Sequence, residues 1–177
     1  MKTLKRHNKL LVLFAAAAMT FSIHSPSVAT SSMGTAIVTV AGGRPCFSLE
    51  SNGETKNGLA LNGIAVEENV STTPGDYPAQ FWQFQANDSS QKYILRPTEC
   101  IRYGAAPANT TERVSKDLDF FRVYRVSLMV ESKRINTIAY RANFCMKSDA
   151  LGKVTVQIIP NNYRGGNDTH ELCRRAP

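Results

Sequence analysis

The chain has 177 residues, with 21 Lys and Arg against 14 Asp and Glu and a formal net charge of +7. Four of those positive charges, Lys2, Lys5, Arg6 and Lys9, sit in the first 29 residues with no acid beside them, which leaves seventeen bases against fourteen acids, a net +3, for the rest. The densest basic pairs remaining, Lys133-Arg134 and Arg174-Arg175, are too sparse for a phosphate-binding patch, so nucleic acid is excluded as a partner.

The amino terminus reads as an export signal. A basic stretch at 1–9 precedes an apolar run at 10–21 that is too short to span a bilayer, and Ser27, Val28 and Ala29 supply the small residues a leader peptidase requires. Cleavage after Ala29 is expected. The first Cys is Cys46, so no acylated Cys stands at the new amino terminus, and no later run reaches the roughly 18 apolar residues of a spanning helix. Residues 30–177 should form one periplasmic domain, large enough to fold alone, with no stable membrane insertion after signal cleavage.

Taken in chain order, the mature part shows short runs of strand character at 35–40, 45–49, 59–67, 80–86, 92–96, 120–131, 137–147 and 154–159. Asn-Gly at 52–53, 57–58 and 62–63, Pro-Gly at 74–75 and Gly-Gly at 165–166 punctuate them as tight β connections do. No window carries a helical stripe. The pattern predicts an all-β chain folded as a single antiparallel β-sandwich of the immunoglobulin or fibronectin kind.

Alternation assigns faces on the longer runs. Phe120, Tyr124, Val126, Leu128 and Val130 share one face opposite Arg125, Ser127, Glu131 and Lys133. In the next run Ile138, Tyr140, Ala142, Phe144 and Met146 oppose Arg141, Asn143 and Lys147, and residues 131–136 join the two runs as a hairpin. Trp82 and Phe84 belong to another core strand.

Cys46, Cys100, Cys145 and Cys173 are far apart and form no C-x-x-C pair, so in an exported chain they read as two disulfides and not as a metal or redox site. Parity places Cys145 with Arg141 and Asn143, Cys46 opposite Phe47, and Cys100 opposite Ile101. The bridges are therefore expected outside the core. Of the three pairings, Cys46 with Cys100 and Cys145 with Cys173 is preferred.

Catalytic side chains are scarce. Beyond the leader the sole histidine is His170, and no G-x-S-x-G, H-E-x-x-H or phosphate-binding glycine loop occurs. Glu67 and Glu68 are adjacent on an extended run and point apart. Asp117 and Asp119 share a parity just ahead of a strand, and a carboxylate pair of the glycosidase type is the nearest enzyme reading. No catalysis, cofactor or metal is expected.

Gly-Arg-Pro-Cys-Phe-Ser-Leu at 43–49, the segment 61–66, Trp82-Gln83, Leu-Arg-Pro at 95–97, Glu-Cys-Ile-Arg-Tyr-Gly at 99–104, 124–130, Tyr-Arg-Ala-Asn-Phe-Cys-Met-Lys at 140–147 and the late Cys173 together resemble the small enterobacterial envelope proteins described as type VI secretion immunity periplasmic lipoproteins. That family carries a lipobox Cys, which this leader lacks, so free periplasmic residence is implied. The resemblance implies a protein that neutralises a secreted toxin, or another envelope protein, by stoichiometric binding through exposed loops. Two polar connections suit that role, 104–116 and 161–168. The second holds Tyr163 and Arg164, residue types that dominate interface energetics. Two alternatives stay open: a structural or secreted surface component such as a pilus-like subunit or exporter cargo, and a small-ligand or sugar-binding domain.

Overall fold

A computed structural model describes residues 32–68, 78–87, 92–131, 137–160 and 169–174. The leader, the loop 132–136 and the segment holding Tyr163 and Arg164 lie outside the described residues. The described chain is nearly all β with one short helix. Its strands are β1 (Ser32–Ala41), β2 (Arg44–Leu49), β3 (Leu59–Glu68), β4 (Gln80–Ala86), β5 (Ile94–Leu95), β6 (Ile101–Arg102), β7 (Thr110–Ser115), β8 (Val123–Val130), β9 (Thr137–Ser148) and β10 (Val154–Ile159), followed by helix α1 (Thr169–Arg174).

All ten strands belong to one sheet in the order β6-β2-β1-β9-β8-β3-β4-β7, with β10 added to β9 and β5 to β3. The β1–β2 hairpin turns on Gly42 and Gly43, at φ of 60° and 75°. Two consecutive residues in the left-handed region give the turn whose twist matches that of the flanking strands, and glycine adopts it without steric cost. The twelve-residue β9 has two neighbours on one side in succession: its first half runs parallel to β1 and its second half antiparallel to β10. The sheet is therefore mixed where a wholly antiparallel one was predicted. Alternation within a strand is blind to the direction of its neighbour, so the parallel pair left no trace in the pattern.

The sheet curls until its two ends meet. Phe47 of β2 stacks on Trp82 of β4 at 6.3 Å between ring centroids, although β1, β9, β8 and β3 separate those strands in the order. Just after β6, Tyr103 lies 5.2 Å from Trp82 and its hydroxyl donates to the Lys116 carbonyl, just after β7, at 2.7 Å. Phe144, Tyr124 and Phe81 continue the aromatic interior at 5.0–5.8 Å spacings. Each such pair adds about 0.5–1.5 kcal/mol beyond the area it buries. The main core also takes Leu49, Leu61, Ile64, Val66, Leu95, Leu128 and Val130.

Several assignments shift. Tyr124, Val126, Leu128 and Val130 do face the core, but Phe120 precedes β8 in a turn and is exposed. Ile138, predicted inside, is 40% exposed because the register against β1 slips there: Ser32 pairs with Thr137 and Met33 with Ala139. Such a bulge turns one side chain out of the alternation. The connection 104–116 is not a free loop, since it contains β7, hydrogen-bonded to β4. Its Thr-Thr-Glu-Arg-Val-Ser sequence has the polar character of an end strand, which conceals it from a search for apolar alternation.

Helix α1 was also unexpected. Six residues make no stripe and form no stable helix in isolation. Its anchor is covalent, through the disulfide from Cys173 to Cys145. The Cys46–Cys100 bond fastens β2 to the segment entering β6. Both bonds lie outside the main core, yet Cys145 and Cys173 are fully buried with Val123 and Ile159 in a second cluster against which Leu172 packs. The face assigned as polar is covered at this point, which is why residues 142–146 are buried on both sides of β9. Asn143 survives there by accepting from Arg125 Nε at 3.2 Å. No helix among the described residues is long and apolar enough to cross a membrane.

Candidate functional site

Where the two ends of the curled sheet meet, a pocket of about 210 Å³ opens between Arg44, Pro45, Tyr103, Asp117, Leu118 and Met146. Arg44 and Pro45 begin β2, Tyr103 follows β6, Asp117 and Leu118 follow β7, and Met146 comes from β9. Distant parts of the sequence converge because the curl brings them together. Pro45, Tyr103 and Met146 are buried and form an apolar floor, while Arg44 and Asp117 are exposed.

The walls are held from both sides. Lys116 N–H donates to the Phe81 carbonyl at 2.8 Å and the Lys116 carbonyl accepts from Tyr103. Two residues on from Asp117, the Asp119 N–H donates to the Tyr124 hydroxyl at 2.8 Å. Asp117 and Leu118 thus sit between two tied positions. Opposite them, Tyr103 N–H donates to the Pro45 carbonyl at 2.8 Å, and the chain turns at Gly104 with φ 73°. A Cβ at Gly104 would stand 3.1 Å from an Arg44 guanidinium nitrogen, which places the arginine beside this turn, and the positive φ there favours glycine.

Arg44 and Asp117 enter no ion pair among the described residues. The other acids named from the sequence are committed elsewhere. Asp119 pairs with Arg122 at 3.3 Å, Glu68 with Arg122 at 3.3 Å, and Glu67 with Arg125 at 3.6 Å. Of the Asp117 and Asp119 pair, only Asp117 lines the pocket. His170 falls in α1. Among the described residues no group of three or more His, Cys, Asp and Glu is placed to hold a metal ion.

One buried phenol, Tyr103, lines the pocket, and a second, Tyr124, accepts from the Asp119 N–H beside it. Burial pushes the Tyr103 hydroxyl well above its usual range, with Tyr124, Asp117 and Glu112 adding to the effect and Arg44 opposing it. Burial likewise pushes Tyr124 up to about 12, against the hydrogen bond from the Asp119 backbone. Below pH 10 both phenols are neutral whether folded or unfolded, so they confer no pH dependence. Above pH 10 the unfolded chain releases protons that the folded chain retains, and stability falls as pH rises through about 12. Urea unfolding across the alkaline range should show this decline, and Tyr124→Phe should reduce its slope. An unchanged slope would mean that Tyr124 ionises freely in the fold.

Of the pocket residues the sequence offered only Asp117 as a site candidate, with Met146 assigned to the inward face of its strand. Arg44 and Tyr103 had been noted merely as members of two distinctive blocks, and no linear spacing announces their meeting. No protein-family model, no curated protein and no solved structure matches the chain.

Proposed function

We propose that the chain is an envelope protein-binding module, an immunity protein that neutralises a secreted toxin by stoichiometric binding and performs no chemistry of its own. The observation that carries this reading is how the body of the protein frames residues 161–168. Ile159, at the end of β10, and Cys173, in α1, are both buried in one small cluster with Cys145 and Val123. The described residues on either side of the stretch carrying Tyr163 and Arg164 therefore lie in one cluster. A short connection presented by a rigid scaffold is the usual seat of a specific interface.

Other features support the same reading. Two disulfides among four cysteines suit an oxidising compartment such as the periplasm, reached through the cleavable leader. The two most distinctive blocks of the family resemblance, 43–49 and 99–104, are β2 and β6 with their flanks, paired to each other and joined by Cys46–Cys100. We further read the curl as two facing layers, the sandwich expected from the alternation, and the stacking of Phe47 on Trp82 across the interior supports that.

The test is capture of the toxin. With the product of the neighbouring gene co-expressed, the mature protein should form a one-to-one complex. Tyr163→Ala and Arg164→Ala should each weaken it by about 1–3 kcal/mol with an unchanged melting temperature. A complex indifferent to both substitutions would remove 161–168 from the interface, and failure to find any envelope partner would remove the reading itself.

A further inference from the structure

The pocket at the meeting of the sheet ends holds two features that the protein-binding reading does not use: a cation and an anion that line the same small space without neutralising each other. Arg44 lies beside the Gly104 turn, Asp117 sits between the tied residues Lys116 and Asp119, and neither enters an ion pair among the described residues. Both side chains are exposed and solvated, so a ligand carrying both signs can reach the two together. Between them lies apolar surface from Pro45, Leu118 and Met146 and the Tyr103 ring.

Size narrows the occupant. The volume of about 210 Å³ is below the roughly 300–1,000 Å³ of pockets that take drug-sized ligands, yet exceeds the ~150 Å³ that admits a benzene ring. One amino-acid-sized molecule fits, and an oligosaccharide or nucleotide does not. Tyr103 adds no third charge, because its hydroxyl is neutral and donates to the Lys116 carbonyl.

We infer that this pocket binds a single free α-amino acid with an apolar side chain. The α-carboxylate lies on the Arg44 guanidinium, the α-ammonium on the Asp117 carboxylate, and the side chain on Met146 and Leu118. The planar guanidinium engages both oxygens of a carboxylate at once, which favours this acid over a single-point anion. This inference is independent of the immunity reading and stands or falls without it.

Calorimetric titration of the mature protein with free leucine and free methionine tests it. Trp82, the one tryptophan of the chain, packs on Tyr103 at 5.2 Å, so its fluorescence gives a second, local readout. The expected result is one site. Replacing the ammonium with hydroxyl in the 2-hydroxy acid of leucine, or deleting the carboxylate in 3-methylbutylamine, should each weaken binding about tenfold or more. Arg44→Gln and Asp117→Asn should do the same to leucine with unchanged melting temperatures, since both residues are exposed and unpaired, whereas the exposed Lys153→Gln should leave binding intact. No heat and no fluorescence change with any free amino acid at millimolar concentration would overturn the inference. So would affinities unaffected by the Arg44 and Asp117 substitutions, or a leucine tripeptide binding as tightly as leucine itself.

Discussion

Replacing Trp82 with alanine is expected to lower the unfolding free energy by about 3–5 kcal/mol, among the largest losses available to a single substitution in this chain. The ring is fully buried and contacts Phe47, Phe84 and Tyr103 at centroid distances of 6.3, 5.4 and 5.2 Å. Phe47 comes from one end of the strand order and Phe84 from near the other, so the indole fills the space that the curl closes. Its Nε1–H donates to Glu112 Oε1 on β7, which fastens the end strand to the core. Truncation therefore opens a cavity and removes the tie to the end strand at once. For a domain of this size the melting temperature should fall by roughly 10 °C. Trp82→Phe keeps the ring and loses the donor, and its cost should be smaller. If urea unfolding placed Trp82→Ala within about 1 kcal/mol of the parent, the closure of the sheet would have to be attributed to other contacts.

Removal of the Cys145–Cys173 bond by paired alanine substitution should cost about 3–4 kcal/mol, the chain-entropy value for a sequence separation of 28. The helix it holds is too short to stay folded by its own propensity, so α1 should separate from Val123 and Ile159. Cys46–Cys100 closes a longer separation of 54 and should be worth about 4 kcal/mol on the same basis. The two bonds differ in access. Cys100 is exposed, whereas both sulfurs of the other bond belong to fully buried residues. A thiolate must reach a sulfur to exchange with it, so mild reduction of the native protein should open Cys46–Cys100 first. Timed alkylation with mass mapping should find Cys46 and Cys100 labelled well before Cys145 and Cys173. Simultaneous labelling would mean that α1 opens as readily as the surface bond.

The elements read best from the residues are those whose apolar side chains alternate with polar ones. β4 and β10 were expected at 80–86 and 154–159 and occupy those residues, and the inward set Tyr124, Val126, Leu128 and Val130 followed from alternation alone. Two-residue periodicity is a property of the strand itself, so no partner needs to be known to see it. The aromatic content of 80–86 likewise marked Trp82 and Phe84 as interior before any neighbour was assigned. Four widely spaced cysteines with no C-x-x-C pair were enough to indicate two bonds and a preference between pairings.

What depended on partners was illegible. Ile138 was turned outward by a slip against β1, and Cys145 was buried because helix α1, whose Cys173 lies 28 residues further along, folds back onto its face. β7 owes its strand conformation to backbone hydrogen bonds with β4, which any polar side chain permits. The pocket takes Arg44 from one end of the strand order and Asp117 from the other. Composition and local period determined that this chain would be a disulfide-bonded β protein with a given set of inward residues. The tertiary structure alone decided which of its outward faces are covered and which charges share a pocket, because curl, register and helix docking are set by contacts between residues far apart in the chain.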